Sequence, residues 1–169
     1  MRNKLIILSG PSGIGKSTVA KRLHNAISQS FLLHRDVQHR FFGRDRDSST
    51  GEITAGLLLV MADYILKSGK DVIFDWAIRN EDYMNSLYEV AERNNSKIVE
   101  IFLFADKEFV LDRSEKRGYG KYSFTAETCE RIWEETNNFI IKRNNTNILK
   151  VENLSEEEVF DRVKKIVGI

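Results

Sequence analysis

The sequence predicts an α/β fold, a doubly wound five-stranded parallel sheet with helices on both faces. Short apolar runs recur along the chain, and the segments between them carry apolar residues at helical spacing. Strands that alternate with helices in this way form parallel sheets covered on both faces. Because ligands of such sheets bind beyond the carboxyl ends of the strands, the residues that follow each strand are the candidates for function.

The predicted strands are short and apolar, and each is bounded by polar or turn residues. A polar segment at residues 35–52, after the second strand, is expected to form a loop or a short helix. The five strands are expected at residues 5–8, 31–34, 71–75, 98–104 and 148–151.

Helices are predicted in the connections between the strands. Gly69 suits the C-cap of the second helix and Asn80 the N-cap of the third. Ser155 and Glu158 are spaced as a capping box at the start of the last helix. A Gly-Tyr-Gly stretch at 118–120 interrupts the pattern after the fourth strand. The helical stripes lie at residues 19–27, 53–66, 83–91, 109–111, 126–143 and 159–166.

The composition indicates a single globular domain, residues 1–169. A formal net charge of +1 gives no overall attraction to nucleic acid. One cysteine, Cys129, and a single proline exclude a disulfide framework. No apolar run approaches the ~20 residues needed to cross a membrane, and no signal sequence is recognisable before the first strand. We therefore expect a cytoplasmic protein without membrane contact.

Residues 10–17 carry the most specific pattern in the chain. Their sequence, Gly-Pro-Ser-Gly-Ile-Gly-Lys-Ser, fits the P-loop pattern G-x-x-x-x-G-K-[ST] at every fixed position. A strand precedes the pattern and a helix follows it, which is the context that a P-loop requires. A glycine turn that merely links strand to helix is the alternative, and it does not account for the complete match. The pattern predicts a nucleoside triphosphate site.

The P-loop pattern assigns roles to individual residues. Glycines let the backbone approach phosphate closely, and the N–H groups of the turn and helix start point at the anion. Lys16 is expected to act on the β- and γ-phosphates, and the Ser17 hydroxyl is expected to hold Mg²⁺. The expected cofactors are thus ATP and Mg²⁺. The predicted contacts to the ATP phosphates are Gly10, Ser12, Gly13, Ile14, Gly15, Lys16, Ser17 and Thr18.

Two acidic residues follow strands at the predicted binding edge. Asp36 could accept the proton of an attacking hydroxyl in a phosphotransferase, with a solvated turn as the alternative. Asp75 closes an apolar strand, as a Walker-B acid does, and could bind Mg²⁺ through water or anchor substrate. A plain strand-end cap is its alternative. His34 and His39 flank Asp36, and we interpret them as substrate-loop residues, not metal ligands.

A basic segment rich in glycine follows the fourth strand. Arg113 and Arg117 are four residues apart and therefore share a helical face, and Gly118 and Gly120 come directly after them. The arrangement favours a short lid, at about residues 117–125, whose arginines close over the ATP phosphates and stabilise the transferring group. A solvated basic helix end is the alternative. Beside a P-loop, the lid is the better interpretation.

Together these motifs resemble those of small P-loop kinases, and most of all the kinase domains of phage polynucleotide 5′-hydroxyl kinases. The resemblance covers about residues 4–145. It lies in the P-loop, in Arg35-Asp36 after the second strand, in the apolar strand that ends at Asp75, and in the R-x-x-x-R-G pattern from Arg113 to Gly118.

The resemblance implies further roles for these residues. Asp36 would be the general base, and Arg117 and Arg113 would clamp phosphate. Where that family has a substrate arginine three residues after the catalytic aspartate, this chain has His39, and Arg40 follows. The candidate substrate residues are Arg35, Arg40 and Asp75.

The leading functional hypothesis is ATP-dependent phosphorylation of a hydroxyl, with a polynucleotide 5′ end or a nucleotide as acceptor. Arginines and phenylalanines interleave at residues 35–46, where arginine could pair with phosphate and phenylalanine could stack on bases. A small-molecule kinase for an antibiotic or a sugar is the near alternative, because similar folds serve both. A nucleotide-binding switch without phosphoryl transfer is the alternative of another class. No N-K-x-D guanine signature is present, and the basic lid suits transfer better.

Overall fold

Five parallel strands form the sheet of this protein. The computed structural model describes residues 2–41, 48–116, 125–143 and 146–169. The strands are β1 (Lys4–Ser9), β2 (Ser30–His34), β3 (Asp71–Asp75), β4 (Lys97–Phe104) and β5 (Asn147–Lys150). They lie in the order β2-β3-β1-β4-β5, and every neighbouring pair is parallel.

Helices in the connections cover both faces of the sheet, which confirms the predicted fold class. Each predicted helix is present. A single turn of 3₁₀ helix at His39–Phe41 comes between the second and third helices. The helices are α1 (Lys16–Ala26), α2 (Arg35–Gln38), α3 (Ser48–Lys67), α4 (Glu81–Arg93), α5 (Lys107–Lys116), α6 (Ala126–Ile140) and α7 (Glu156–Val167).

Some element ends differ from the prediction by a few residues. α1 ends one residue early because Ile27 has an extended backbone. α6 ends three residues early, and Arg143 lies instead in a turn from which its guanidinium binds Glu100. The polar segment predicted at residues 35–52 forms α2 and the 3₁₀ turn over Arg35–Phe41, whereas its residues 48–52 are not a loop but the first residues of α3. Residues 42–47 and the Gly-Tyr-Gly stretch at 118–120 lie outside the described residues.

The hydrophobic core lies on both faces of the sheet, as the period of two in a buried strand requires. Leu5 and Ile7 of β1 pack with residues of α3 and α4, whereas Ile6 and Leu8 pack with residues of α1 and α7. All four side chains are fully buried. Burial from both sides explains why the strands are continuous apolar runs in the sequence.

α3 is apolar over an unusual length. Contrary to the expectation from the sequence, its residues 49–67 are long and apolar enough, by length and composition, to cross a membrane. It is the one such span among the described residues. Leu58, Ala62 and Leu66 on this helix are nevertheless buried in the core. One face of α3 therefore belongs to the globular fold.

The capping box predicted for α7 is present. Ser155 Oγ accepts a hydrogen bond from Glu158 N at 3.2 Å, and the Glu158 carboxylate accepts one from Ser155 N at 2.8 Å. The bonds from the Ser155 backbone and side chain lower the pKa of Glu158. They therefore stabilise the folded protein above the ordinary pKa of glutamate, and that contribution is lost as the pH falls through the lowered pKa.

We predict that Ser155→Ala lowers the free energy of unfolding by about 1 kcal/mol, because an N-cap acceptor is lost. Urea denaturation at neutral pH measures this loss. In acid, where Glu158 becomes protonated, we expect the difference in free energy of unfolding between the variant and the wild type to become smaller. Ser86→Ala is the control, since the Ser86 hydroxyl bonds only to Asp82 O within α4 among the contacts described. Equal losses in the two variants would contradict the capping role.

Candidate active site

The P-loop between β1 and α1 is pressed against neighbouring backbone and side chains. Gly10 has a φ of 140° and Gly13 a φ of 81°, in the region that favours glycine. A Cβ on Gly10 would lie 2.2 Å from Leu103 O, and a Cβ on Gly13 would lie 2.7 Å from Ser114 Oγ. These glycines therefore let the loop pack directly on β4 and α5.

The P-loop ends in the first turn of α1, which contains Lys16, Ser17 and Thr18. A helix start concentrates N–H donors and a partial positive charge, and so favours an anion. Lys16 Nζ donates to Pro11 O at 2.8 Å, so the ammonium lies over the loop. Ile14 buries its side chain in the core, which leaves its backbone as the part that could meet a phosphate.

The loop after β3 is bonded to the start of the P-loop. Trp76 N donates to Leu8 O at 3.3 Å, and Ile78 N donates to Ser9 Oγ at 2.9 Å. Ser9 itself is fully buried. These bonds hold the residues after β3 beside the phosphate-binding loop.

Asp75, the last residue of β3, is a buried carboxylate at this edge, with 2% of its surface exposed. Its Oδ2 lies 3.7 Å from His34 Nε2, which is too long for a hydrogen bond. Among the described residues, Oδ2 has no hydrogen-bond partner. A buried carboxylate oxygen without a partner is costly to the fold, which is typical of a functional group.

A cleft of about 260 Å³ joins the P-loop to the ends of β2 and β3. Ten residues with a predicted role line it: Ser12, Gly13, Gly15, Lys16, Ser17, Thr18, His34, Arg35, Asp36 and Asp75. The rest of its lining consists of Trp76, Ala77, Arg79 and Ile132.

Asp36 lies in the first turn of α2, just beyond the end of β2. Its side chain is 63% exposed, and Arg35 Nη1 lies 3.6 Å from its Oδ1. His39 turns away from this pair, since its Nδ1 lies 3.0 Å from Thr54 Oγ1 on α3.

Arg79 lines the cleft although the sequence analysis assigns it no role. Its guanidinium donates to Glu135 on α6, which also pairs with Arg131 at 2.8 Å. Burial lowers the pKa of Arg79, Glu135 raises it, and the positive charges of Arg131 and Arg35 lower it. The one signal in the sequence that could have indicated a role for Arg79 is its position four residues after Asp75, on the loop at the binding edge of the sheet.

An aromatic residue lies beside these arginines. The Arg35 guanidinium carbon is 5.6 Å from the centroid of the Trp76 ring. Trp76 also meets the ring of Tyr83 edge to face, with centroids 4.6 Å apart. Trp76 directly follows a strand, which made it a candidate by position but not by any motif.

Several predicted residues are not in this cleft. Arg113 lies by a separate cavity of about 30 Å³, which Gly15 and Thr18 also line. Arg40 lies on the 3₁₀ turn after α2, is exposed, and does not line the cleft. Arg117, with the predicted lid up to residue 124, lies outside the described residues.

Ser17 and Asp75 have the chemistry to hold a divalent cation together with a phosphate. Among the described residues, no group of three or more His, Cys, Asp or Glu could hold a metal on its own. Mg²⁺ often takes one or two protein ligands, substrate phosphates and water, so a larger group is not required. Ser17 and Asp75 line the same cleft, and Asp75 Oδ2 has no hydrogen-bond partner among the described residues, which fits this pattern.

A larger groove, of about 780 Å³, lies elsewhere, along the first residues of β4. Glu100 within it is 8% exposed. Its carboxylate accepts hydrogen bonds from Arg143 Nε at 2.8 Å, from Thr146 Oγ1 at 2.6 Å and from the Tyr88 hydroxyl. The protein itself thus satisfies this buried charge, unlike that of Asp75. We therefore assign function to the smaller cleft.

Three solved structures with similar folds give the comparison. The tunicamycin resistance protein of Deinococcus radiodurans has a TM-score of 0.69 at 20% identity, over 99% of this chain and 97% of that chain. Mycobacterium tuberculosis APS kinase CysC, in complex with AMPPNP and APS, has a TM-score of 0.65 at 17% identity, over 99% of both chains. A chain of the Pnkp1/Rnl/Hen1 RNA repair complex has a TM-score of 0.70 at 20% identity, over 86% of this chain and 47% of that chain.

Sequence comparison gives the family. No curated protein sequence matches this chain significantly. Residues 5–147 match AAA_33, a family described as an AAA domain. The similar structures include kinases, and the fold is that of P-loop kinases. With most of its length matched, the chain belongs to the AAA_33 family of AAA domains.

Proposed function

We propose that this chain is an ATP-dependent kinase that transfers the γ-phosphoryl group to a hydroxyl, with a polynucleotide 5′ end or a nucleotide as the leading acceptor. One observation carries the proposal: Lys16 and Ser17 of the P-loop share a cleft with Asp36 and Asp75. A phosphate-binding loop facing carboxylates suits in-line transfer from ATP to an oxygen nucleophile.

The P-loop would bind the ATP phosphates through backbone N–H groups and the start of α1. Lys16 would leave Pro11 O for the β- and γ-phosphates, where its charge offsets the charge on the transferring group. Mg²⁺ would be held by Ser17 and Asp75 and would neutralise phosphate charge. The neighbouring APS kinase, solved with AMPPNP, supports a nucleotide at this loop.

Asp36 would accept the proton of the attacking hydroxyl. It lines the cleft with the P-loop, and its exposed carboxylate can meet an acceptor that enters from solvent. Arg35, whose Nη1 lies 3.6 Å from Oδ1, would help to hold this carboxylate in place. In the same reaction, Arg113 and Arg117 would clamp phosphate from the lid side, since Arg113 lies by a cavity next to Gly15.

Arg35, Arg79 and Trp76 favour an acceptor that carries phosphate and a base. Two guanidinium groups face one cleft beside an indole ring, and these are groups that pair with phosphate and stack on bases. The similar fold in an RNA repair complex agrees with a polynucleotide acceptor. Arg40 on the adjacent 3₁₀ turn would extend the contact to a longer substrate.

A small-molecule kinase is the second candidate, and the tunicamycin resistance protein supports it because its fold covers nearly the same length. A nucleotide-binding switch, which would bind ATP without transfer, is the third. The position of Asp36 favours a kinase over a switch, because a protein that only binds ATP does not need a general base for an attacking hydroxyl. We further propose one domain over residues 1–169 in a cytoplasmic protein, consistent with the buried unpaired thiol of Cys129.

The test is transfer of labelled γ-phosphate to a panel of 5′-hydroxyl oligonucleotides, nucleosides, nucleotides, antibiotics and sugars. We expect Lys16→Ala to abolish transfer without lowering the temperature of thermal unfolding, because Lys16 contacts the loop and not the core. Lys21→Ala, on the exposed side of α1, is the matched control and should keep wild-type turnover. Full turnover by the Lys16 variant would refute the P-loop assignment.

Asp36→Asn should lower single-turnover transfer by roughly 10²- to 10⁴-fold, because the amide keeps the size of the carboxylate but cannot take a proton. Equilibrium binding of ATP should hardly change. Asp106→Asn is the control: Asp106 follows β4 at the same sheet edge, is exposed, and pairs with Lys150 outside the cleft. Normal transfer by the Asp36 variant would mean that Asp36 is not the general base and would make Asp75 the candidate. Loss of ATP binding would instead indicate that Asp36 helps to bind Mg²⁺.

Arg79→Ala should raise the KM for a phosphate-bearing acceptor by about 10- to 100-fold, the range for a lost charged hydrogen bond, and should spare ATP binding. Arg131→Ala is the control, because Arg131 also pairs with Glu135 but does not line the cleft. Steady-state kinetics with acceptors that carry and lack a phosphate measure both. If the KM does not change for either acceptor, Arg79 serves only the ion pair with Glu135. That result would favour the alternative that the chain is a small-molecule kinase.

A further inference from the structure

α3 exposes a row of large apolar side chains to solvent. Ile53, Leu57, Val60 and Tyr64 are 50%, 49%, 66% and 75% exposed, and Met61 beside them is 37% exposed. Together they present on the order of 500 Å² of apolar surface, which is in the range of the largest patch on a typical monomer, and such patches are often functional. We call these five residues the α3 seam.

The opposite face of the same helix is also apolar. Leu58, Ala62 and Leu66 are buried against the sheet, and Thr54, one turn before Leu58, is fully buried. A helix that is apolar all round normally has neighbours on both sides. The fold supplies a neighbour for one side of α3, and the α3 seam has none among the described residues.

The spacing of the α3 seam fits another helix. Ile53, Leu57, Val60 and Tyr64 follow one another at intervals of four, three and four residues. This interval is that of the a and d positions in helices that pack side by side. A flat or irregular partner surface would not require this heptad spacing of apolar residues.

We propose that two copies of this chain associate through the α3 seam, with the two α3 helices antiparallel about a two-fold axis. The axis passes between Leu57 and Val60. In this register Leu57 of each copy meets Val60 of the other, and Ile53 meets Tyr64. An isologous contact of this kind is closed and self-complementary, and it is the commonest form of homo-oligomer.

The charges beside the α3 seam favour a second copy of the chain. Glu52 lies near the start of α3 and Lys67 at its end, and both are exposed. The antiparallel register brings Glu52 of each copy near Lys67 of the other, whereas a parallel pair would place like charges together. The α3 seam would form the apolar centre of an interface that needs about 800 Å² per partner.

The same charges argue against a membrane as the occupant. Helices that lie on a membrane usually carry lysine and arginine along the borders of their apolar face. The seam is bordered by Glu52, by Lys67 and by Asp63, which pairs with Arg93 at 2.7 Å, so its border carries no excess of positive charge. Electrostatic attraction to anionic lipid is therefore not expected there.

The test is sedimentation velocity of the full chain over a range of concentrations. We expect a monomer–dimer equilibrium. Leu57→Glu and Val60→Lys should each raise the dimer dissociation constant by more than about 100-fold. Each substitution would place an unpaired charge inside the apolar centre of the dimer interface. Ile141→Glu is the matched control: Ile141 is 67% exposed, as Val60 is, but lies beyond α6, and this variant should still dimerise. Circular dichroism verifies that each variant is folded.

Mixing the two charged variants tests the register. Glu at position 57 of one copy then meets Lys at position 60 of the other, so a heterodimer should form although neither variant dimerises alone. Failure to form it overturns the antiparallel arrangement. A wild-type chain that stays monomeric, or a dimer that tolerates both substitutions, overturns the proposal. In the monomeric case, binding to phosphatidylglycerol vesicles that Leu57→Glu abolishes would identify a membrane as the occupant.

Discussion

The contact between the Gly10 backbone and Leu103 O is the constraint on which the candidate site depends. With no side chain at Gly10, the chain leaving β1 can pass directly over β4. The close approach of Gly13 to Ser114 fixes the loop from the side of α5. Between them these contacts determine where α1 starts and where its N–H groups are directed. A methyl group at Gly10 would displace the whole loop from the sheet.

Strand order then determines which side chains face this loop. Because β3 lies between β1 and β2, the last residue of β3 is in register with Leu8 on one side and with His34 on the other. Asp75 is therefore adjacent both to the start of the P-loop and to the segment that carries Asp36. Residues distant in sequence meet at one edge because parallel strands end together.

Much of the fold could be predicted because its signals are local. Alternating burial in β1 and the Ser155 cap are readable from a few neighbouring residues, and the same is true of the P-loop pattern. Asp36 and Asp75 could be chosen by the rule for strand ends, and their roles stay predictions. No motif marks Arg79 or Ile132: Ile132 lies on α6, and Arg79, near the end of β3 in the sequence, pairs with Glu135 of that helix. Helical spacing likewise could not predict that Arg113 lies by a separate cavity and not in the cleft with Asp36 and Asp75.

At the proposed site, the bond from Lys16 Nζ to Pro11 O would make phosphate capture an exchange of acceptors. Pro11 O is a neutral acceptor that belongs to the loop itself. Phosphate oxygens carry charge, so a bond from Lys16 to phosphate would be the stronger of the two. When the anion left, the same carbonyl could receive the ammonium again. The free energy that Lys16 contributes to binding would therefore be smaller than that of its bond to phosphate alone.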